Sequence, residues 1–411
     1  MSSAPRAATP NGEALQARAA RVVPGGIYGH TDATMLWSGA PMFVKRARGS
    51  RFWDVDDREY IDMMCSWGPI LHGHGHPAVE EAVARQASQV NCGNAPTAAF
   101  VELAELFVDT VEHADWAMFA KNGGDAVTLA TRLARARTGK QIILTPAGSQ
   151  HGTLPPRYTR EGTLTQDGEH HNTFRFNDLA SVEERFIAHF GNVAGVLVPA
   201  FLHNAGEDQE LADPAFAQGL RRLCDIYGAV LIVDDVRAGF RITSGSSWEQ
   251  FGVEPDLSAW SKAIANGYPI SALLGTDAMR EVARSVFVAG SFWMSGVPMA
   301  AAIATINVLN DEDGLQRMRE RGERLVHGLR GQADQYGLRV RVTGPVTMPY
   351  LKFIDDDQLA LTEWWAAEVA TGGVFLHPRH NWFISTAHTA DDIDHVLDAS
   401  DRAFATIASR T

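Results

Sequence analysis

The stretch Asp256-Leu-Ser-Ala-Trp-Ser-Lys-Ala-Ile-Ala-Asn-Gly-Tyr-Pro-Ile-Ser-Ala-Leu-Leu-Gly275 decides the fold and centres on Lys262. Apolar runs flank this lysine, and Asn266-Gly267 and Pro269 are turn residues, so the pattern predicts two buried strands joined by a short loop. Burial of an ammonium is costly, and desolvation lowers its pKa toward neutrality. A neutral amine can form a Schiff base with a carbonyl compound. The alternative is a structural lysine whose ammonium reaches solvent.

Short apolar runs alternate with amphipathic helical patterns through the middle of the chain. This alternation predicts an α/β fold in which a mostly parallel sheet lies between helices. The runs are Trp116–Phe119, Gln141–Thr145, Val193–Val198, Ala229–Asp234, Leu257–Trp260 and Ile270–Leu274.

The length of 411 residues exceeds what one hydrophobic core usually supports, which predicts two domains. We expect residues 76–298 to form a large domain around the sheet. Residues 1–75 and 299–411 are expected to combine into a smaller α+β domain.

Composition excludes several classes of protein. A net charge of −13 argues against nucleic acid and anionic membrane surfaces as partners. The three cysteines (Cys65, Cys92 and Cys224) are too scattered for a disulfide framework or a zinc site. No stretch has the apolar length of a membrane span, and the N-terminus lacks a signal-peptide core. These features predict a cytoplasmic protein.

In open parallel sheets, ligands bind at the carboxyl ends of the strands. Four segments fall there: Lys121–Ala126 (KNGGDA), Gly148–Gly152 (GSQHG), Asp234-Asp235 and Lys262. Glycine amides that open a helix bind phosphate, and a carboxylate after a buried strand pairs with a cation or caps a turn. For each segment alone an ordinary turn is an alternative. Together they match the needs of pyridoxal 5′-phosphate (PLP): a phosphate cradle, a carboxylate for the pyridine nitrogen and a desolvated lysine.

The ordered motifs carry a family resemblance along nearly the whole chain. The sequence resembles class III aminotransferases of PLP fold type I, including the glutamate-1-semialdehyde aminomutase branch. It is most similar to the bacterial fumonisin-deaminating aminotransferases. The motifs are VPGG (23–26), WDVDDREYID (53–62), GHGHPAV (73–79), HADWAMFAKNG (113–123), DDVRAGFR (234–241), SKAIANGYP (261–269) and AHTADDID (387–394).

The resemblance implies a role for each matching residue. Lys262 would form the Schiff base and shuttle a proton. Asp234 would pair with the pyridine nitrogen, and Val236 would pack on the ring. Family members are dimers with shared active sites, so the Gly290–Pro298 loop would reach the partner's cofactor. Residues expected around the phosphate and ring are Asn122, Gly123, Gly124, Gln150, His151, Gly152, Ser291 and Trp293.

Several positions depart from the family pattern. Gln150 stands where relatives have an aromatic residue that stacks on the ring, which removes a contact of about 1 kcal/mol. Gly124 replaces a Ser or Thr, and Pro199 replaces a Glu. Trp293 stands where relatives have a phosphate-binding Thr, for which Ser291 could substitute. These departures predict weaker cofactor binding.

The substrate expectation follows from an arginine that is absent. The aminomutase branch binds its substrate's carboxylate with an arginine that residues 27–32 lack. Aromatic residues instead predict a roomy pocket for amines without an α-carboxylate, with core packing as the alternative for each. Arg237 and Arg379 are candidates for acidic groups, with surface ion pairing or solvation as the alternative. The aromatic candidates are Tyr28, Trp37, Trp67 and Trp293.

We therefore expect a PLP-dependent transfer of an amino group from a bulky or long-chain primary amine, which includes mycotoxin backbones, to a keto acid such as pyruvate. An intramolecular aminomutase and a PLP-binding protein with little catalysis are the alternatives. His72, His74 and His76 share a glycine-rich loop but match a family segment that binds no metal, so no metal site is expected.

Overall fold

The computed structural model of the chain describes residues 9–27, 37, 40–41, 43–152 and 170–410. It divides into two compact units. The central unit comprises Pro77–Asn204 and Gln209–Leu315, and the terminal unit comprises residues up to His76, Ala205–Asp208 and Gln316–Thr411.

The N-terminal part of the terminal unit begins with one helix and continues as a three-stranded antiparallel meander. Asp56 and Asp57 lie in the connection between its second and third strands. The elements are α1 (Pro10–Ala19), β1 (Val44–Arg48), β2 (Arg51–Asp54) and β3 (Glu59–Asp62).

The central unit contains a seven-stranded sheet with the order β4-β12-β11-β10-β7-β5-β6. All neighbours pair in parallel except β12, which is antiparallel to both β11 and β4. The prediction of a mostly parallel sheet is confirmed. The strands, with the small β8–β9 ribbon, are β4 (Trp116–Ala120), β5 (Ile142–Pro146), β6 (His171–Phe174), β7 (Val193–Pro199), β8 (Phe201–Leu202), β9 (Glu210–Leu211), β10 (Val230–Asp234), β11 (Leu257–Trp260) and β12 (Ser271–Gly275).

Helices cover both faces of this sheet. On β10, Leu231 and Val233 pack in one apolar cluster, whereas Val230 and Ile232 pack in the other, because successive strand residues point to opposite faces. Helices α5 and α6 contribute to the first cluster, and α4 and α7 to the second. The helices are α2 (Pro77–Gln89), α3 (Ala98–Thr110), α4 (Gly123–Thr138), α5 (Leu179–Ala188), α6 (Pro214–Tyr227), α7 (Asp277–Ser285) and α8 (Gly296–Asp311).

The C-terminal part of the chain completes the terminal unit. Strand β15 pairs in parallel with β3, so both ends of the chain contribute to one four-stranded sheet with the order β1-β2-β3-β15. The predicted fold class included a small α+β domain built from both chain ends, and this prediction is confirmed. Its elements are α9 (Gly314–Gln335), β13 (Val340–Thr343), β14 (Tyr350–Phe353), α10 (Ala360–Thr371), β15 (Val374–Phe375) and α11 (Ala390–Ala408).

The central unit ends at Leu315, whereas the sequence predicts that the large domain ends at residue 298. Helix α8 explains the difference, because it packs against α2 and α3 of the central unit. The sequence also gave no prediction for β6, whose His171-Asn172-Thr173-Phe174 lacks an apolar run.

No helix in the described part of the chain is long and apolar enough to cross a membrane. Among the same residues, no group of three or more His, Cys, Asp or Glu side chains is arranged to hold a metal ion.

We predict that Leu231→Ala lowers the free energy of unfolding by about 2–5 kcal/mol, because the side chain is fully buried in the strand that ends at Asp234. Denaturant unfolding followed by circular dichroism measures this change. Ile226→Ala, whose side chain is 74% exposed, is the control and should change the stability by less than about 0.5 kcal/mol. Equal losses in the two variants would contradict the assignment of Leu231 to the core.

Candidate active site

Asp234 and Lys262 lie at the carboxyl ends of two neighbouring strands of the central sheet. Asp234 is the last residue of β10 and pairs with Ala259 of the parallel strand β11. Lys262 lies three positions beyond Ala259, just after the end of β11. The sheet therefore brings a carboxylate and an amine to the carboxyl ends of its strands, where open α/β sheets bind ligands.

Lys262 occupies a constrained position. It opens a short 3₁₀ helix, Lys262–Ala265, with a φ of 51° that residues other than glycine seldom adopt. The Ser261 hydroxyl donates a hydrogen bond to the carbonyl of Ile270 at 2.8 Å, which closes the loop at its base. Backbone outliers of this kind persist only where the surroundings hold them, and they cluster at functional sites.

The surroundings of Lys262 favour its uncharged form. Desolvation, followed by the positive charge of Arg237, lowers the pKa of the Lys262 amine to about 7. Arg241 acts in the same direction more weakly, and the Asp234 carboxylate opposes both arginines. The side chain is half-buried. Near neutral pH, a large fraction of this amine is therefore available as a nucleophile or proton acceptor.

Hydrogen bonds fix the Asp234 carboxylate. Its Oδ1 accepts from the Val236 amide at 3.0 Å, and its Oδ2 lies 2.6 Å from Nδ1 of the buried His151. An ionised carboxylate only accepts, so the Nδ1 proton occupies this bond. His151 Nε2 lies 3.0 Å from the Ser149 hydroxyl, which is 2.8 Å from the carbonyl of Pro146. This chain of hydrogen bonds holds the carboxylate in one orientation.

The adjacent Asp235 has a different task. Its side chain is fully buried and accepts from the Ser246 hydroxyl at 2.7 Å and the Ser247 amide at 3.2 Å. Burial raises the pKa of this carboxyl to about 6. Asp235 thus fixes the chain that follows β10, whereas the Asp234 carboxylate remains available to bind a cofactor.

The start of α4 forms the third part of the site. The Asp125 carboxylate accepts from the backbone amides of Asn122 and Lys121 at 2.9 and 3.2 Å, which fixes the turn from β4 into the helix. Gly123 and Gly124 are the first two residues of the helix, so their amides have no partner within it. Such amides, together with the helix dipole, bind phosphate.

Close packing joins this helix start to the other segments. A Cβ on Gly123 would lie 2.6 Å from Cγ1 of Val236, and a Cβ on Gly152 would lie 2.7 Å from Cα of Gly124. Only glycine fits at residues 123 and 152. The segments after β4, β5 and β10 therefore meet beside Asp234, as the sequence predicts.

These residues fit a cofactor that carries a phosphate, a basic ring nitrogen and a carbonyl group. The helix start supplies amides for an anion, Asp234 retains acceptor capacity beyond its two hydrogen bonds, and Lys262 supplies an uncharged amine.

Comparison with known proteins identifies the family. The sequence profile described as "Aminotransferase class-III" matches residues 36–399. The chain belongs to the class III aminotransferases. The resemblance stated from the motifs is thereby confirmed, and with it the α/β fold of the fold type I transferases.

Two curated relatives span almost the whole chain. The aminopentol aminotransferase of Sphingopyxis macrogoltabida is 46% identical over 394 residues, which cover 96% of this chain and 93% of that protein. The glutamate-1-semialdehyde 2,1-aminomutase of Chloroflexus aurantiacus is 31% identical, with 97% of each chain covered. Among solved structures, the PLP internal aldimine form of the FumI protein of Sphingopyxis sp. MTA144 superimposes with a TM-score of 0.95, at 45% identity and 97% coverage of each chain.

In this class III aminotransferase, three further candidates for cofactor contacts lie in loops of the central unit. Gln150 is half-buried between Ser149 and His151. Ser291 is exposed, whereas the half-buried Trp293 lies against Gly290 and packs against the second apolar cluster. Their roles toward a cofactor stay predictions.

Of the predicted substrate residues, Trp37, Trp67 and Arg379 belong to the terminal unit. Trp37 is 6% exposed, stacks on Phe375 and meets the ring of His377 edge-on, which is the packing of a core residue. Trp67 is half-buried and also lies beside His377. Arg379 pairs with Glu363. Tyr28 lies outside the described residues. The substrate roles of all four stay predictions.

Two residues of the site are not predicted by the sequence. Ser149 contacts His151, and the fully buried Arg241 contributes to the lowered pKa of Lys262. Arg241 belongs to the quoted DDVRAGFR motif, but an arginine in a sequence gives no sign that its side chain is buried.

We predict that Gly123→Ala destabilises the cofactor-free protein by about 1–3 kcal/mol, because the added methyl group overlaps Val236. Thermal unfolding measures the change. Val236→Ala in the Gly123→Ala background removes the overlapping methyl groups and should restore part of the loss. The packing argument fails if the double variant is as unstable as the sum of the two single variants.

We also predict that the amine of Lys262 reacts with an acylating reagent at half its maximal rate near pH 7 in the cofactor-free protein, because its uncharged form predominates above that pH. Peptide mass spectrometry after brief labelling across a pH series measures the rate. The exposed Lys45 in the same samples reports the intrinsic reactivity of the reagent. A labelling rate for Lys262 that rises only near pH 10, as for an ordinary lysine of pKa about 10.4, would contradict the desolvation argument.

Proposed function

We propose that this chain is a PLP-dependent transaminase that moves the amino group of a bulky or long-chain primary amine to a keto acid. The observation that carries the proposal is the half-buried Lys262, whose amine has a pKa of about 7 and lies after β11 beside the end of β10. The 46% identity to an aminopentol aminotransferase supports a long-chain amino alcohol as the donor class.

Each part of the site takes one task toward the cofactor. Amides of Gly123 and Gly124 hold the phosphate at the start of α4. Asp234, held by His151 and Val236, keeps a proton on the pyridine nitrogen. When bound, PLP supplies an electron sink for negative charge that develops on the carbon bearing the amino group.

Proton transfer falls to Lys262. Its Nζ takes the proton from the amine-bearing carbon of the donor and later returns a proton during transfer to the acceptor. A group with a pKa near the working pH suits both directions, because neither its protonated nor its free form is too stable. The net reaction converts an amine and a keto acid, such as pyruvate, into a ketone and an amino acid by a ping-pong sequence.

We also propose that the protein acts as a homodimer. Residues 290–298 would reach the partner's cofactor, as the family resemblance implies. Three apolar side chains in and beside this segment support an interface, since Phe287, Phe292 and Met294 are 89%, 64% and 51% exposed in the single chain. A cytoplasmic location stays a prediction of the sequence.

We predict that Lys262→Ala lowers the rate of transamination by about 10²–10⁴-fold or more, because the proton acceptor is lost. The assay incubates the PLP-loaded protein with a long-chain 2-aminoalkane, with and without pyruvate, and measures ketone and alanine. Lys45→Ala, on the exposed strand β1, is the matched control and should retain the wild-type rate.

The same assay separates the alternatives. Ketone and alanine formed together only with pyruvate support transamination. Glutamate-1-semialdehyde that is isomerised without a keto acid would support an aminomutase, which the 31% identity to such an enzyme makes the second candidate. A protein that binds PLP and produces none of these products would contradict both enzymes.

A further inference from the structure

The loop between β11 and β12 holds Lys262 in a backbone conformation that costs energy. Lys262, Asn266 and Gly267 have φ values of 51°, 45° and 100°, all in the left-handed region. Residues other than glycine keep such values only where surrounding contacts hold them. The hydrogen bond from Ser261 to the carbonyl of Ile270 closes the base of the loop. The outer part of the loop is held by two further side-chain contacts.

Lys121 makes the first of these contacts. It is the first residue after β4, and its backbone amide donates to the Asp125 carboxylate in the turn that opens α4. Its side chain is half-buried, and Nζ donates to the carbonyl of Pro269 at 3.2 Å. An ammonium forms a stronger hydrogen bond than a neutral donor does. Lys121 therefore joins the outer part of the loop to the start of α4.

Tyr268 makes the second contact, in the direction of α2. Its hydroxyl donates to Oε2 of Glu80 at 2.9 Å. Burial, followed by the hydrogen bond to Glu80, raises the pKa of this phenol to about 12, so the hydroxyl keeps its proton at neutral pH. The amide of Tyr268 donates to the carbonyl of Ala265, the last residue of the 3₁₀ helix that Lys262 opens. The contact with Glu80 thus acts on the backbone that carries Lys262.

Both contacts start from packed parts of the central unit. Ala120 of β4 pairs with Ser271 of β12, so the sheet places Lys121 beside the residues that lead into β12. Helix α2 packs against α8, and α8 packs against the 3₁₀ helix of the loop. The positions of Lys121 and Glu80 are therefore set by the sheet and the helices, and not by the loop.

We infer that Lys121 and Tyr268 are positioning residues that hold the loop between β11 and β12, so that Lys262 stays oriented for proton transfer. This inference rests on the proposed transamination, in which Nζ of Lys262 moves the proton. Both residues act through the loop backbone. When either contact is lost, the loop leaves its left-handed conformation more often, and the amine spends less time in the geometry that proton transfer needs.

The test removes each donor and little else. Lys121→Met keeps most of the length of the side chain without its ammonium, and Tyr268→Phe keeps the ring without its hydroxyl. Lys45→Met and Tyr336→Phe are the matched controls. Their donors also bond to single side chains, the carboxylates of Asp57 and Asp401, but these pairs belong to the terminal unit.

Amide deuterium exchange, measured by mass spectrometry on the full-length protein with and without PLP, reports the opening of the loop. Ile264 and Tyr268 donate their amides within the loop, so their exchange requires it to open. Lys121→Met and Tyr268→Phe should each exchange these amides about 5- to 30-fold faster than the wild type, the factor expected for one lost hydrogen bond. The controls should match the wild type, and residues 230–234 of β10 should exchange equally in all variants.

The kinetics of the PLP-loaded enzyme separate positioning from general damage. With a long-chain 2-aminoalkane and pyruvate, Lys121→Met and Tyr268→Phe should lower kcat by about 5- to 30-fold and change both KM values by less than about 2-fold, because proton transfer and not binding is impaired. Lys121→Arg keeps a cationic donor for the carbonyl of Pro269. It should therefore restore both the exchange rate and kcat to within about 3-fold of the wild type.

The inference is overturned if residues 261–270 of Lys121→Met and Tyr268→Phe exchange at the wild-type rate. It is also overturned if Lys121→Arg is as impaired as Lys121→Met, since the loss would then not follow the hydrogen bond to Pro269. Failure of the proposed function is distinguishable, because deuterium exchange needs no substrate. Faster exchange in both variants, with a wild type that makes neither ketone nor alanine, would contradict transamination and leave the hold on the loop in place.

Discussion

The desolvation of the Lys262 amine is the constraint on which the rest of this site depends. Desolvation is the largest cause of the lowered pKa of Lys262, and it arises because the residue follows a buried strand of a sheet covered on both faces. An uncharged amine is reactive but must be held away from bulk water without being sealed off. The left-handed backbone at Lys262 and the bond from Ser261 to Ile270 meet this need by fixing the short loop between β11 and β12.

The neighbouring groups are arranged around that amine with separate tasks. Asp234 and Asp235 are consecutive in sequence, yet one bonds to His151 and the other anchors the following chain through Ser246 and Ser247. Alternation along a strand separates their side chains, and their hydrogen bonds preserve the separation beyond the strand end. One carboxylate can thus serve a cofactor because the other satisfies the backbone around it.

Much of this arrangement follows from the sequence. Apolar runs predicted six strands of the central sheet. The positions of Asp234, Lys262 and the Asn122–Gly124 turn after these runs predicted that they lie together at the carboxyl ends of the strands. Family motifs then supplied the cofactor. The sequence did not predict the burial of Arg241 or the contact of Ser149 with His151, because both depend on tertiary packing between segments distant in the chain. Strand β6 has no apolar pattern, and it forms because β5 offers a parallel edge to pair with.

The central claim is that Lys262, and no other lysine of the chain, joins the cofactor. Lys121 is an informative comparison, because burial lowers its pKa too and it immediately precedes the turn that opens α4. The most direct measurement is reduction of the PLP-loaded protein with borohydride, followed by peptide mass spectrometry. We predict that the cofactor's mass is added to the peptide that contains Lys262 and is absent after Lys262→Ala. Addition to Lys121, or to no peptide in a protein that has bound PLP, would contradict the account.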